Sequence, residues 1–205
     1  MSRSISLVIA LSVLTFGLFG CSETPQTSSA PLPDSGRSVI AGDGVPCGEV
    51  HVATFYAGQS IDVGTVTVYN DQDMLYMAIE TTGDWVLTET HVAVAPTLEG
   101  IPQTGSGNPK VGQFLLSATH NPPISTFVHR ISLTDYGYQT GQTLYIAVHA
   151  KVDRLDAGGH VVQTETAWAD GFDFPGANLA TYFNIDVQIC DDGGDDGGGG
   201  GGTGE

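Results

Sequence analysis

Residues 143–152 read TLYIAVHAKV, and this stretch decides the class of fold. Successive side chains of a β-strand point to opposite faces of the sheet, so residues two apart share a face. One face is apolar and consists of Leu144, Ile146, Val148 and Val152; the other carries Tyr145, Ala147, His149 and Lys151. Such alternation predicts a strand with one face in a core and one face turned outward.

The rest of residues 47–190 repeats this kind of pattern. Short runs rich in Val, Ile, Thr and Tyr are separated by Gly, Pro, Asn and Asp, which is typical of antiparallel strands joined by turns. We predict nine strands, at 50–56, 61–69, 74–81, 85–95, 112–118, 126–133, 143–152, 160–168 and 181–189. An all-β domain follows, an antiparallel β-sandwich of jelly-roll or immunoglobulin-like type. The long connection at 96–111 is predicted to be a functional or crossover loop.

The chain ends differ from this domain in composition. Residues 1–20 have Arg3 followed by an apolar run, as in an export signal that is too short to span a membrane. Residues 22–46 are rich in Ser, Thr, Pro and Gly and predict a disordered tether. Residues 191–205 read DDGGDDGGGGGGTGE and predict a flexible acidic tail, whose aspartates could bind Ca²⁺ weakly.

The export signal closes on Leu18-Phe19-Gly20-Cys21, which resembles a bacterial lipobox. The resemblance implies cleavage before Cys21, acylation of that cysteine, and anchoring of residues 21–46 and the domain to a lipid bilayer. Ser22 stands where an Asp would resemble an inner-membrane retention signal, which favours the outer membrane or cell surface.

The three cysteines are consistent with export. If Cys21 is acylated, Cys47 and Cys190 remain, one before the first predicted strand and one after the last. In an oxidising compartment this arrangement predicts a disulfide that joins the two ends of one domain.

The charge balance limits the partners. The chain has 23 acidic and 6 basic residues and a net charge of −17. Such a chain repels phosphates and anionic headgroups, so nucleic acid is not an expected partner.

Histidines and carboxylates recur on the outward face of the predicted strands. Period-2 alternation places Trp85, Glu89 and His91 on one face of their strand. The predicted ligand surface comprises Trp85, Glu89, His91, Tyr145, His149, Glu165 and Trp168. Three interpretations of these residues stay open: a cross-strand hydrogen-bond network, a surface for a glycan, protein or matrix component, and a Zn²⁺ site of a metal-binding protein or metal-dependent hydrolase, made of Glu89, His91 and His149. For the whole protein a purely structural envelope component is a further alternative.

Other candidate positions are weaker. His120 is predicted to be a turn residue in a loop, and His51, His129 and His160 have no partner visible in sequence. The loop at 172–176, with Trp168 just before it, is a second candidate binding edge, and its Phe residues are expected to cover the end of the sandwich. Gly105-Ser106-Gly107 lacks the context of a nucleophile elbow, and metalloprotease, P-loop and dinucleotide motifs are absent from the sequence, which favours a non-catalytic role.

Four segments, 83–95, 100–114, 144–150 and 165–183, together resemble a recurring extracellular β-domain of bacterial surface proteins. The resemblance implies an all-β fold and an exported location, and it implies no particular activity.

Overall fold

The computed structural model describes residues 44–176 and 178–190, which belong to one compact unit spanning residues 38–205. The lipobox with Cys21, nearly all of the tether and the acidic tail lie outside the described residues. Within the described part of the chain, no helix is long and apolar enough to cross a membrane.

The described chain is almost entirely β-strand. The strands are β1 (His51–Ala57), β2 (Ile61–Asn70), β3 (Met74–Thr81), β4 (Trp85–Ala95), β5 (Leu116–Ile124), β6 (Thr126–Ser132), β7 (Thr143–Leu155), β8 (Val161–Ala169), β9 (Phe172–Asp173) and β10 (Thr181–Asp186). Two 3₁₀ turns, Leu98–Gly100 and Val111–Gln113, lie in the long connection between β4 and β5. All pairs of strands are antiparallel, which confirms the predicted all-β class.

The predicted position of β5 is wrong. The prediction at 112–118 stopped before Asn121-Pro122-Pro123, whereas β5 begins at Leu116 and continues through the prolines to Ile124. Prolines are tolerated here because β5 pairs only with β4 and because the pairing register shifts beside them, from Glu89↔Thr119 to Leu87↔Ile124. His120 is therefore a strand residue rather than a turn residue.

The strands follow the order β5-β4-β7-β8-β1-β2-β3-β6, and β10 pairs with both β7 and β9. The two end strands of this path, β5 and β6, are consecutive in sequence and meet at Ser125. The Ser125 carbonyl accepts hydrogen bonds from the Thr81 backbone N–H at 2.8 Å and from the Thr81 hydroxyl at 3.2 Å. The sheet is therefore nearly closed, and because pairing links all the strands the predicted two-sheet sandwich is not confirmed.

The main core fills the inside of this sheet. It contains the side chains at every second position of the strands, those that face inward. Among them are Phe55, Met77, Leu87, Ile146 and Val148, each fully buried. Fully burying such a side chain contributes about 1.5–3 kcal/mol to stability. The apolar alternation in the sequence therefore identifies most of the side chains that stabilise this core.

A second, smaller core lies on the outer face of β4 and β7. The alanines Ala93 and Ala147 leave room there for the two long connections, which pack Ile101, Phe114 and Phe174 against the sheet. The expectation that both Phe residues of the 172–176 loop cover the end of the sheet is wrong: Phe174 belongs to this second core, and Phe172 is 61% exposed.

The ends of the domain are joined as predicted. Cys47 and Cys190 form a disulfide across 143 residues of sequence. Next to it the Asn70 side chain accepts a hydrogen bond from the Gln188 backbone N–H at 2.7 Å and donates one to the Gln188 carbonyl at 3.1 Å. The Asn70 amide thus takes the place of a neighbouring strand for Gln188.

Candidate functional site

A β-bulge in β4 decides which residues of that strand face outward. Leu87 pairs with Val152 and Glu89 pairs with Lys151, so two residues of β4 oppose one of β7. The extra residue reverses the alternation: Leu87 points into the main core, whereas Glu89 points outward. Trp85 precedes the bulge, lies in the main core and is only 8% exposed, so its predicted place on the ligand surface is wrong.

Beyond the bulge, four side chains line up across four strands. His91 of β4 is opposite His149 of β7, His149 is opposite Trp168 of β8, and Trp168 is opposite Tyr56 of β1. Residues directly opposite each other share a face, and all four are partly exposed. We call these four residues the histidine–tryptophan row.

The members of the row are in contact where the strands are adjacent. The ring centroids of His149 and Trp168 are 4.8 Å apart in an edge-on arrangement, and those of His91 and His149 are 5.7 Å apart. His91 Nε2 lies 2.8 Å from a carboxylate oxygen of Glu89, whose side chain is 45% exposed. Since a carboxylate only accepts, the proton lies on Nε2 of His91.

The two histidines are not equivalent electrostatically. Burial lowers the pKa of His149 to about 4; the neighbouring His91 lowers it as well, and Glu89 opposes both effects. His149 is therefore a neutral imidazole at pH 7, with one nitrogen to donate and one to accept. The Nδ1 atoms of His91 and His149 are buried without a hydrogen-bond partner among the described residues.

The two remaining residues of the predicted ligand surface, Tyr145 and Glu165, lie on opposite faces of the sheet. Tyr145 is on the outer face, where it packs on the second core with its ring centroid 6.0 Å from that of Tyr182. Glu165 pairs with the core residue Val152 and so faces the inner side of β8, where it accepts a hydrogen bond from Gln163 at 3.1 Å. Its predicted association with the two histidines is therefore wrong.

Two loops pack on the second core beside the histidine–tryptophan row: the connection between β4 and β5 and the connection between β8 and β10. Phe114 contacts Trp168 edge-on at 6.3 Å. Further along, the Gly176 N–H bonds to the Gly107 carbonyl at 3.2 Å, and Gly107 has a φ of +82° with Pro175 so close that a Cβ would lie 2.8 Å from it. This close approach brings the loop at 172–176 onto the same outer face as Trp168.

Glu89, His91 and His149 meet in space, but they do not form a metal centre. Across the described ranges, 44–176 and 178–190, no group of three or more His, Cys, Asp or Glu side chains is arranged to hold a metal ion. The Glu89 carboxylate is bonded to His91 instead. The predicted Ca²⁺-binding aspartates of the tail lie outside the described residues.

The sequence prediction missed a buried polar cluster at the closure of the sheet. The Thr90 hydroxyl of β4 lies 3.2 Å from Nε2 of His120 in β5 and 2.9 Å from Nε2 of His129 in β6. A hydroxyl donates only one hydrogen bond, so at least one of the two Nε2 atoms carries a proton and donates it to the Thr90 oxygen. His129 shares its strand face with Phe127 and Ile131, and this alternation was the signal in sequence that could have placed it inward.

We compared the chain with known proteins. No family model matches it, and no curated protein matches it. One solved structure with a detectable likeness is described as that of "a putative carbohydrate binding protein from Bacteroides uniformis ATCC 8492", with 9% sequence identity, a TM-score of 0.32, and coverage of 65% of this chain and 57% of that chain. The chain thus spans little more than half the length of that protein, and a likeness at this level carries no conclusion about fold or function.

Proposed function

We propose that the β-domain is a non-catalytic binding module and that a neutral carbohydrate lies on the histidine–tryptophan row. The observation that carries the proposal is the alignment of His91, His149 and Trp168 in one register across three adjacent strands. A row of this kind puts an aromatic ring next to hydrogen-bonding groups on a rigid sheet.

The chemistry of the row suits a polyhydroxylated ligand. The Trp168 ring offers an apolar face with a polar N–H. Beside it only Nε2 of the neutral His149 can reach a ligand, since Nδ1 is buried, and Glu89 supplies carboxylate oxygens as acceptors. Apolar contact area with a few converging polar groups is what small-ligand sites commonly present. A net charge of −17 disfavours anionic glycans, hence the neutral class.

We assign binding rather than catalysis because the sequence carries none of the nucleophile, metalloprotease, P-loop or dinucleotide motifs. The residues of the alternative, a metal-dependent hydrolase that uses Glu89, His91 and His149, are not arranged to hold a metal ion, and metal analysis of the same protein samples tests this. Stoichiometric zinc in the purified domain that disappears in a His91→Ala, His149→Ala variant would favour the hydrolase over the glycan-binding module.

The binding prediction concerns Trp168. We expect the domain to bind at least one neutral glycan on an array, and Trp168→Ala to weaken the affinity measured by calorimetry roughly tenfold or more, because a buried aromatic contact is worth about 1–2 kcal/mol. His149→Ala should weaken it by a smaller factor. The matched control is Tyr136→Ala, which removes an exposed aromatic ring outside the row and should leave affinity unchanged. An array without binding, or unchanged affinity in Trp168→Ala, would contradict the proposal.

We further propose that the domain is held at the outer membrane or cell surface by acylation of Cys21. In a Gram-negative host, Cys21→Ser should abolish incorporation of a labelled fatty acid and move the protein from the membrane to the soluble fraction, since the thiol that carries the lipid is gone. Cys190→Ser is the control and should keep the label. Persistent labelling of Cys21→Ser would refute the anchor.

A further inference from the structure

The sheet is interrupted between β1 and β10. Along β1, only Phe55–Ala57 pair with β8, so His51–Thr54 have a paired neighbour on the β2 side alone. Along β10, Phe183–Asp186 pair with β7 on one side, and β9 pairs only with Thr181 and Tyr182 on the other. We call the space between these two free edges the edge slot.

The hydrogen bonds at the ends of the slot show which backbone groups face it. The Thr54 carbonyl accepts from Asp170 N–H, away from β2, so by period-2 alternation the N–H and C=O of Val52 also point away from β2. Val187 exchanges hydrogen bonds with Gly141 and Gln142, which directly precede β7. Asn184 and Asp186 therefore point the other way, into the slot.

At each end of the edge slot, other groups make the backbone hydrogen bonds that a neighbouring strand would make. At one end the Asn70 side chain takes both backbone hydrogen bonds of Gln188. At the other end Tyr182 is paired with Phe172, and Thr54 is bonded to Asp170. Between these closures the backbone groups of Val52 and Asn184 and the Asp186 N–H have no bond to the opposite edge among the described residues. The Asp186 carbonyl accepts a hydrogen bond from the Gln188 side chain at 2.8 Å.

The slot has room and a defined lining. A cavity of about 510 Å³ is lined by residues 49–52 and by residues 68–70 at the end of β2, and on the other side by residues 184–186 and Gln188. A second depression of about 450 Å³ continues along the same edges past His51, Val52 and Asn184 to Phe172. Beneath these edges the His51 ring stacks on Phe183, with the ring centroids 4.5 Å apart.

The lining has one sign of charge. Glu49 and Asp186 line the cavity and Asp170 lines the depression, whereas no Lys or Arg occurs among the described residues that line either. His51 adds no fixed positive charge, since burial lowers its pKa against the opposing effect of Glu49. Its Nε2 is buried without a hydrogen-bond partner within the described part of the chain. Val52 and Phe172, each 61% exposed, provide apolar surface beside these charges.

We propose that the edge slot binds a short extended segment of a cationic partner polypeptide by β-strand addition. A strand placed there satisfies the free backbone groups of both edges, which is the usual source of affinity in strand addition. Lysine or arginine side chains of the segment meet Glu49, Asp170 and Asp186, and its apolar side chains meet Val52 and Phe172. The slot contains no residue of the histidine–tryptophan row, so this proposal is independent of glycan binding.

The test uses the domain labelled with ¹⁵N and the acetylated, amidated heptapeptide Lys-Thr-Val-Thr-Lys-Thr-Val, in which the lysines and valines share one strand face. We expect amide shifts at Val52, Asn184 and Asp186, and slower hydrogen exchange of these amides on peptide addition. A peptide with N-methyl groups on both valine amides should bind roughly thirtyfold more weakly, because it loses two backbone hydrogen bonds. A peptide with Glu in place of Lys should not bind.

Protein variants separate charge from strand pairing. Glu49→Gln should weaken the lysine peptide by about threefold, and the matched control Glu80→Gln on β3 should not. Val52→Pro removes the outward N–H and should abolish amide protection, whereas Val52→Thr retains it. Absence of shifts, equal binding of the N-methylated peptide, or shifts at these amides from a neutral glycan instead would each overturn the proposal. If Val52→Pro does not fold, the Glu49→Gln pair and the peptide series still decide.

Discussion

Replacing Cys47 and Cys190 together by alanine is expected to lower the free energy of unfolding by roughly 2–5 kcal/mol. The disulfide joins positions 143 residues apart and encloses all ten strands, so the loop that opens in the unfolded chain is almost the whole domain. By the chain-entropy argument, the stabilisation from closing a loop of that length lies at the upper end of this range, and native-state effects usually reduce the stabilisation. The Asn70–Gln188 hydrogen bonds remain and should hold the ends together in the folded state.

The measurement is urea unfolding of the oxidised domain, the reduced domain and the double variant, followed by tryptophan fluorescence at neutral pH. The reduced wild type is the matched control and should unfold at the same urea concentration as the variant. Reductant should leave the variant unchanged. A midpoint for the variant equal to that of the oxidised wild type would show that the bond adds nothing to stability.

Lowering the pH from 7 to 4 is expected to destabilise the domain through its buried histidines. Burial lowers the pKa of His129 to about 4 from the ordinary 6.5, and repulsion from His120 and His91 adds to this effect. Between these two values the unfolded chain binds a proton that the folded chain does not, so stability is full above about pH 6.5 and falls as the pH drops toward 4. A shift of that size corresponds to roughly 3 kcal/mol.

His149 contributes in the same direction, since its pKa is also lowered to about 4. The carboxylates affect the stability of the domain at lower pH than the histidines do. Desolvation raises the pKa of Asp71, but hydrogen bonds from Tyr76 and from the Met74 and Asp73 backbone outweigh it and leave the pKa below its usual value. Its contribution is thus lost only as the carboxylate protonates, below the histidine range.

The experiment compares urea unfolding at pH 7, 6, 5 and 4 for the wild type and His129→Gln. Glutamine can keep a hydrogen bond to Thr90 but does not titrate, so the variant should lose less stability between pH 7 and 4 than the wild type. The control His160→Gln changes a histidine whose side chain is 81% exposed and should follow the wild type. Identical pH dependence of His129→Gln and wild type would contradict the assignment.

Period-2 alternation allowed most strands to be predicted from sequence, since a strand with one face in the core must carry apolar residues at every second position. The strands at 74–81 and 85–95 were predicted with their observed bounds. The error at β5 arose because prolines are usually read as loop. A strand with one paired neighbour and a register shift can hold them, and neither property is visible before pairing is known.

The candidate site was predictable only in part. His149 lies on the outer face, as its alternation indicated, and Trp168 lies beside it, whereas Trp85 and Glu165 face the inner side of the sheet. For Trp85 the reason is the bulge at 87–89, because one extra residue reverses which side chains face the core. A bulge is defined by the pairing with a second strand, and the sequence does not show which strand pairs with β4 or in which register.

Sequence alone therefore determined the all-β class and the two cysteines that close the domain, because periodicity and cysteine position are properties of the chain itself. Tertiary structure decided which residues meet: the row of His91, His149 and Trp168, the cluster of Thr90, His120 and His129, and the edge slot. Each depends on strand order and register, which are set by contacts between residues far apart in sequence and leave no local pattern.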